Sequence, residues 1–254
     1  MSSNYILIKN GTLINEGSSF LGSILIKDNI IEKISNSCDI IHNKATIIDA
    51  TGKLVIPGVI DDQVHFREPG STHKGDIESE SAAAVLGGVT SYMDMPNNNP
   101  TATTIESLQY KNSIAEANSY ANYSFYLGAT NENLDQILKA NPRETCGIKV
   151  FMGSSTGNML VDNMNSLEKI FMESKLLIAT HCESEFIIRE NFQKAKDKYG
   201  EAEIPFEEHP IIRSRESCIA SSKQAIELAN KYQTRLHILH ISTQEEIQML
   251  ENAK

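Results

Sequence analysis

The apolar positions of this chain follow two rhythms that change near Pro57-Gly58. Before that point, short β-branched runs alternate with Asn, Gly and Asp. Tyr5-Ile6-Leu7-Ile8 ends at Asn10-Gly11, and Ser23-Ile24-Leu25-Ile26 turns through Lys27-Asp28-Asn29 into Ile30-Ile31-Glu32-Lys33-Ile34. Ala45-Thr46-Ile47-Ile48-Asp49 then turns through Thr51-Gly52-Lys53 into Leu54-Val55-Ile56. Runs punctuated in this way predict hairpins. Residues 1–57 read as a small β domain, one half of a sandwich, with Pro57-Gly58 as its boundary.

From residue 58 onward, apolar runs of strand length alternate with stretches of helical spacing. Strands are predicted over 59–66, 89–95, 123–129, 147–152, 176–181 and 235–241. Helices are predicted over 76–86, 104–117, 131–140, 163–174, 184–198, 214–231 and 243–252. This alternation predicts a parallel sheet, because each parallel crossover needs a helix-sized connection. The last crossover is longer, with an insertion over 196–212 that carries Pro205 and Pro210. The last helix has the spacing of a capping box, Thr243 followed by Glu246. Six βα units are visible, whereas a (β/α)8 barrel needs eight. An open six-stranded barrel would leave two apolar edges unpaired. The expectation is an α/β chain whose residues 58–254 supply strands one to six of a barrel, and whose natural length extends beyond Lys254.

The candidate chemistry sits at the ends of these strands. His65 closes the apolar run 55–64 and is followed by Phe66-Arg67-Glu68-Pro69-Gly70. Lys149, His181 and His240 lie at or near the ends of later runs. A lone strand His is more often structural than a ligand. Three such His residues on separate strands, with a Lys inside a fourth, point to a metallohydrolase rim. A Lys in Gly147-Ile148-Lys149-Val150-Phe151-Met152 is costly to bury unless paired or modified. His237 precedes His240 by three, so strand alternation lets only one face the barrel mouth; His240, nearer the strand end, is the choice. His73 and His209 fall in predicted loops, and Cys182 reads as a buried thiol.

Composition narrows the partners. Lys+Arg is 23 and Asp+Glu is 33, a net charge of −10 over 254 residues. An acidic chain without a basic stripe argues against nucleic acid. No apolar stretch approaches the roughly 20 residues that span a bilayer, and the first nine residues lack a signal-peptide pattern. Cys38, Cys146, Cys182 and Cys218 form no Cys-x-x-Cys pair, which suits reduced thiols in the cytoplasm.

Taken together, these motifs resemble dihydroorotase, of the cyclic amidohydrolase family. The resemblance rests on Pro57-Gly58-Val59-Ile60-Asp61 with Val64-His65-Phe66-Arg67-Glu68-Pro69-Gly70, and on Gly87-Gly88-Val89-Thr90 with Met93-Asp94-Met95-Pro96-Asn97-Asn98-Asn99-Pro100. Ile148-Lys149-Val150-Phe151-Met152, His181-Cys182-Glu183 and His237-Ile238-Leu239-His240-Ile241-Ser242-Thr243 complete it. It implies an amidohydrolase-type (β/α)8 barrel beside a small β-sandwich domain. His65, His181 and His240 would ligate zinc, one or two ions per chain. Lys149 would carry a CO2-derived carbamate bridging two metals. Arg67 and Asn97 would hold the substrate carboxylate. The implied reaction is reversible hydrolysis of L-dihydroorotate to N-carbamoyl-L-aspartate by metal-bound hydroxide, in de novo pyrimidine synthesis, by a homo-oligomer.

The sequence departs from that pattern in two ways. The family's first strand carries His-x-His, and here Gln63 stands in the first position, a poorer zinc ligand than imidazole. The family's catalytic Asp belongs to strand eight, expected beyond residue 254, so these 254 residues alone are expected to be nearly inactive. Dihydropyrimidinase or hydantoinase, allantoinase, and a silent dihydroorotase-like scaffold are the alternatives.

Overall fold

The computed structural model describes residues 4–153 and 158–253. Residues 1–3, which begin the stretch that bears on a signal peptide, and Lys254, on which the expectation of a longer chain turns, lie outside the described residues. The chain divides into two compact units, one up to Val59 and one from Ile60.

The first unit is a mixed sheet of β1 (Tyr5–Asn15), β2 (Ser18–Lys27), β3 (Ile30–Ser35), β4 (Ala45–Asp49) and β5 (Leu54–Val55). Its order is β3-β2-β1-β4, with β5 also on β1. The β2–β3 hairpin forms where Asp28 adopts φ 55. The other two turn signals do something else. β1 does not end at Asn10-Gly11 but continues to Asn15; the pair forms a bulge, where the register against β2 shifts between Ile8 and Gly11. Asn10 takes φ 61, a left-handed value that Asn tolerates.

Thr51-Gly52 does not fold β4 back onto β5. Both strands pair parallel with β1, Tyr5 opposite Ala45 and Thr12 opposite Leu54. Asp49 supplies the reason: its Oδ1 accepts from Asn10 Nδ2 at 3.1 Å, Thr51 N at 3.0 Å and Thr51 Oγ1 at 2.7 Å. One carboxylate oxygen thus ties the bulge to the β4–β5 link. Leu7, Leu25 and Ile40 form the buried centre of this unit.

The second unit holds six strands in sequence order: β6 (Val59–Val64), β7 (Val89–Asp94), β8 (Asn122–Gly128), β9 (Gly147–Phe151), β10 (Ile178–His181) and β11 (Leu236–Ile238). The pairings from β7 through β11 are parallel. The crossovers are α1 (Ile77–Leu86), α2 (Ile105–Asn118), α3 (Leu134–Lys139) and α4 (Met164–Glu173). Between β10 and β11 come α5 (Glu185–Tyr199), α6 (His209–Ile212) and α7 (Arg215–Tyr232), and α8 (Gln244–Ala253) follows β11. The insertion is therefore not a plain loop, since it contains two 3-10 turns and α6.

The sheet is curled, and side chains of its two end strands meet: Asp62 Oδ2 and His237 Nε2 are 3.2 Å apart. Inside the curl, Met95, Tyr126, Ala179 and Leu239 pack together. Outside it, Phe125, Leu127, Ile148, Val150 and Ile178 pack with helix residues such as Leu108, Leu167 and Phe171. Every residue of β9 is buried, as expected of a parallel strand covered on both faces. The capping box of α8 forms: Thr243 Oγ1 donates to Glu246 Oε2 at 2.8 Å, and Glu246 N donates back to Thr243 Oγ1 at 3.2 Å. Curling gathers the C-terminal strand ends, the rim where parallel α/β folds place their chemistry.

Candidate active site

Two loops at this rim interlock. One leaves β6 through His65 to Gly70; the other leaves β7 through Met95 to Pro100. Met95 N donates to the Val64 carbonyl at 3.0 Å, and Asn99 N to the Pro69 carbonyl at 3.2 Å. Gly70 sits at φ 95, and a Cβ there would lie 1.9 Å from the Asn99 carbonyl oxygen, so only glycine permits this approach. The contact brings His65 Nδ1 to 2.8 Å from Asn97 Oδ1. An amide oxygen only accepts, so Nδ1 carries the proton and Nε2 keeps its lone pair. Burial first, and the neighbouring Arg67 cation second, hold the His65 imidazole below its ordinary pKa, which favours the neutral ring. Arg67 itself adopts φ 67. Among the described residues its guanidinium has no carboxylate partner within ion-pair distance.

A second cluster forms across β10 and β11. His181 Nε2 donates to Glu183 Oε2 at 2.8 Å, which leaves Nδ1 as the accepting nitrogen. That nitrogen lies 2.9 Å from His240 Nε2. Glu183 is gripped from the other side by Arg213, whose Nε donates to Oε1 at 2.9 Å and whose second nitrogen bonds Oε2. Burial works against the Glu183 charge, but the bonds from His181 and Arg213 prevail and hold its pKa near about 2. His181, Glu183, Arg213 and His240 line a cavity of about 210 Å³. A larger hollow of about 620 Å³, against α5, contains none of the predicted site residues.

Lys149 lies between the clusters, near enough for its charge to depress both His65 and His240. It is 1% exposed, and its Nζ sits 4.5 Å from the centre of the Phe151 ring. Burial, with no carboxylate partner among the described residues, brings its pKa down to about 7. Lys111, also fully buried, is the opposite case. Its Nζ pairs with Asp94 Oδ2 at 2.7 Å and also donates to the Met95 carbonyl at 2.7 Å and to Asn98 Oδ1 at 2.6 Å. Breaking a buried pair of that kind costs about 3–5 kcal/mol. Lys111 is thus an ion-paired amine, although burial, outweighing Asp94, still pulls its pKa below the ordinary value; Lys149 is, among the described residues, an unpaired one, brought to about 7.

The donor chemistry fits a divalent metal. His181 has one ring nitrogen on a carboxylate, as ligating imidazoles do, and the other on His240 Nε2. Its 2.9 Å approach to His240 is close to the roughly 3.3 Å between two nitrogens on one tetrahedral zinc with Zn–N of about 2.05 Å. The predicted residues are not all drawn into one group. Among the described residues no cluster of three or more His, Cys, Asp or Glu is close enough to hold a metal. His65 is engaged with Asn97, and Gln63, whose N–H donates to Asp61 Oδ1 at 3.1 Å, has no side-chain hydrogen bond among the described residues.

Residues 52–190, more than half of the chain, match the family described as Dihydro-orotase-like. The chain belongs to that family. The dihydroorotase of Methanosarcina acetivorans is 32% identical over 255 residues, 98% of this chain and 52% of that protein. The dihydroorotase of Pyrococcus abyssi is 32% identical over 240 residues, 94% of this chain and 51% of that one. Among solved structures, the L-hydantoinase (dihydropyrimidinase) of Arthrobacter aurescens superposes with a TM-score of 0.90 at 26% identity, covering 99% of this chain and 56% of that one. This dihydroorotase-like chain spans about half the length of the curated relatives it matches. The relatives are named dihydroorotases and the structural neighbours hydantoinases or dihydropyrimidinases, all cyclic amidohydrolases. No helix among the described residues is long and apolar enough to cross a membrane.

Parts of the dihydroorotase-like rim were not to be had from strand alternation. β11 ends at Ile238 and His240 turns to φ 40, so alternation no longer governs it. His237 and His240 both find partners, His237 on Asp62 and His240 on His181. Glu183 shares parity with His181, a usable signal for a carboxylate behind an imidazole. Arg213 and Lys111 gave no signal, because each stands in a polar stretch that reads as solvated.

Proposed function

We propose that this chain carries the substrate-capture and metal-binding residues of a dihydroorotase, which interconverts L-dihydroorotate and N-carbamoyl-L-aspartate. The observation that carries the reading is Arg67: a guanidinium with no carboxylate partner among the described residues, beside the His65–Asn97 pair. A free bidentate donor at a strand-end rim suits a planar carboxylate. Dihydroorotate has that carboxylate, whereas hydantoin and dihydrouracil do not. Arg67 would bind it, together with Asn97, which His65 holds in place. Lys149, neutral for much of the time near pH 7, would attack CO2: the N–C bond forms, one proton leaves, and the amine becomes an anionic carbamate. His181 and His240, with His65 opposite, would then complete a donor set for one or two zinc ions. Bound metal would polarise the ring amide and lower the pKa of water. Gln63 would contribute at most a weak oxygen donor. General acid–base chemistry is assigned to none of the described residues. The proposed whole is a (β/α)8 barrel with a β-sandwich, acting in the cytoplasm as a homo-oligomer.

Calorimetric titration of the metal-loaded chain with L-dihydroorotate and with dihydrouracil tests this. Arg67→Ala should weaken dihydroorotate binding by about tenfold or more, about 1.4 kcal/mol, with metal content unchanged. Equal affinity of wild type and variant would favour a hydantoinase-like substrate.

A further inference from the structure

The buried Lys111 ammonium brackets the two residues that the proposed function assigns to the substrate. From α2 it contacts Asp94 Oδ2, the Met95 carbonyl and Asn98 Oδ1. Each of its two side-chain partners reaches on to the other loop. Asp94 Oδ1 accepts from Phe66 N at 3.0 Å, and Asn98 Nδ2 donates to the Glu68 carbonyl at 2.9 Å. Phe66 and Glu68 flank Arg67, and Met95 and Asn98 stand on either side of Asn97. One cation, 0% exposed, therefore ties down the chain before and after both residues. Arg67 also needs restraint of this kind: a non-glycine residue at φ 67 persists only where its surroundings over-determine it.

We propose that Lys111 is a positioning residue for carboxylate capture, clipping the Arg67 and Asn97 loops into one block through Asp94 and Asn98. The proposal rests on the substrate reading above for its ligand, but its effect on the loops can be measured without any ligand. The metal-loaded full chain, Lys111→Met and Asn98→Ala would be compared by amide hydrogen exchange and by titration with L-dihydroorotate and dihydrouracil. In Lys111→Met the Phe66 amide, and the Ser71 amide that bonds the Arg67 carbonyl at 3.0 Å, should exchange about tenfold faster or more. The Ile148 amide on β9, bonded to the Leu177 carbonyl at 2.8 Å, should not change. Dihydroorotate affinity should fall by about tenfold while dihydrouracil affinity holds.

Asn98→Ala leaves the Lys111–Asp94 ion pair in place but removes the Lys111–Asn98 bond and, with it, the Glu68 arm. It should speed Ser71 exchange and weaken dihydroorotate binding to a smaller extent, and it decides the matter if Lys111→Met does not fold. Unchanged exchange at Phe66 and Ser71, or equal weakening of both ligands, would overturn the proposal. Arg67→Ala in the same titration separates the two ideas. If it leaves dihydroorotate affinity intact, the substrate reading falls, and loop exchange alone decides the role of Lys111.

Discussion

At the scale of single residues, Lys149 makes the sharpest prediction. Its pKa in the fold is about 7, against an ordinary 10.5, because burial penalises its cation. Above 10.5 the amine is neutral in both folded and unfolded chains and nothing is lost. As pH falls from 10.5 towards 7, the unfolded chain binds the proton first, so stability falls with it; below 7 both states are protonated and the loss is complete. In CO2-free, metal-free buffer, the Tm of wild type should therefore drop relative to Lys149→Met between pH of about 10 and 7 and then run parallel. Parallel Tm curves throughout would mean that the ammonium finds a partner in solution. The sequence announced this lysine, since a Lys in an apolar strand is conspicuous. It did not announce Lys111, because a Lys in a polar helix looks solvated until the fold delivers Asp94 beneath it.

At the scale of elements, the strand–helix alternation of the second unit was legible because each apolar run had to be covered on both faces, and β9 is. The first unit was less so. Asn10-Gly11 and Thr51-Gly52 are local permissions for left-handed backbone, and whether these become a turn or a bulge depends on a partner strand far away in sequence. Gly70 is another such permission, set by contact with the Asn99 carbonyl. Gly70→Ala forces a collision at 1.9 Å on a backbone with φ 95, a cost of about 1–3 kcal/mol from the conformation alone. The expected outcome is a lower midpoint in urea with the loops splayed, so that Asn99 loses protection from hydrogen exchange while β9 amides keep theirs. An unchanged midpoint would show that the two loops part without cost.

At the scale of the whole molecule, the chain spans about half of its curated relatives' length, and the six-stranded sheet has β6 and β11 at its ends. Edge strands of a sheet present unpaired backbone groups, and Ile30, Ile31, Ile34, Ile47 and Ile48 expose apolar surface on the smaller unit. The purified chain should self-associate as its concentration rises, read by sedimentation velocity; a monomer peak that ignores concentration would show that both edges and this surface are protected. Among the described residues Lys149 has no acid for a partner, and this has a further consequence for how such a molecule is assembled. If the carbamate forms, one of the site's building blocks is a dissolved gas, and the protein's metal content becomes a function of the bicarbonate around it. Preparations made in degassed and in carbonated buffer would then differ in net charge at one buried point before any metal is added. Zinc supplied to the first would meet an amine, and zinc supplied to the second would meet an anion.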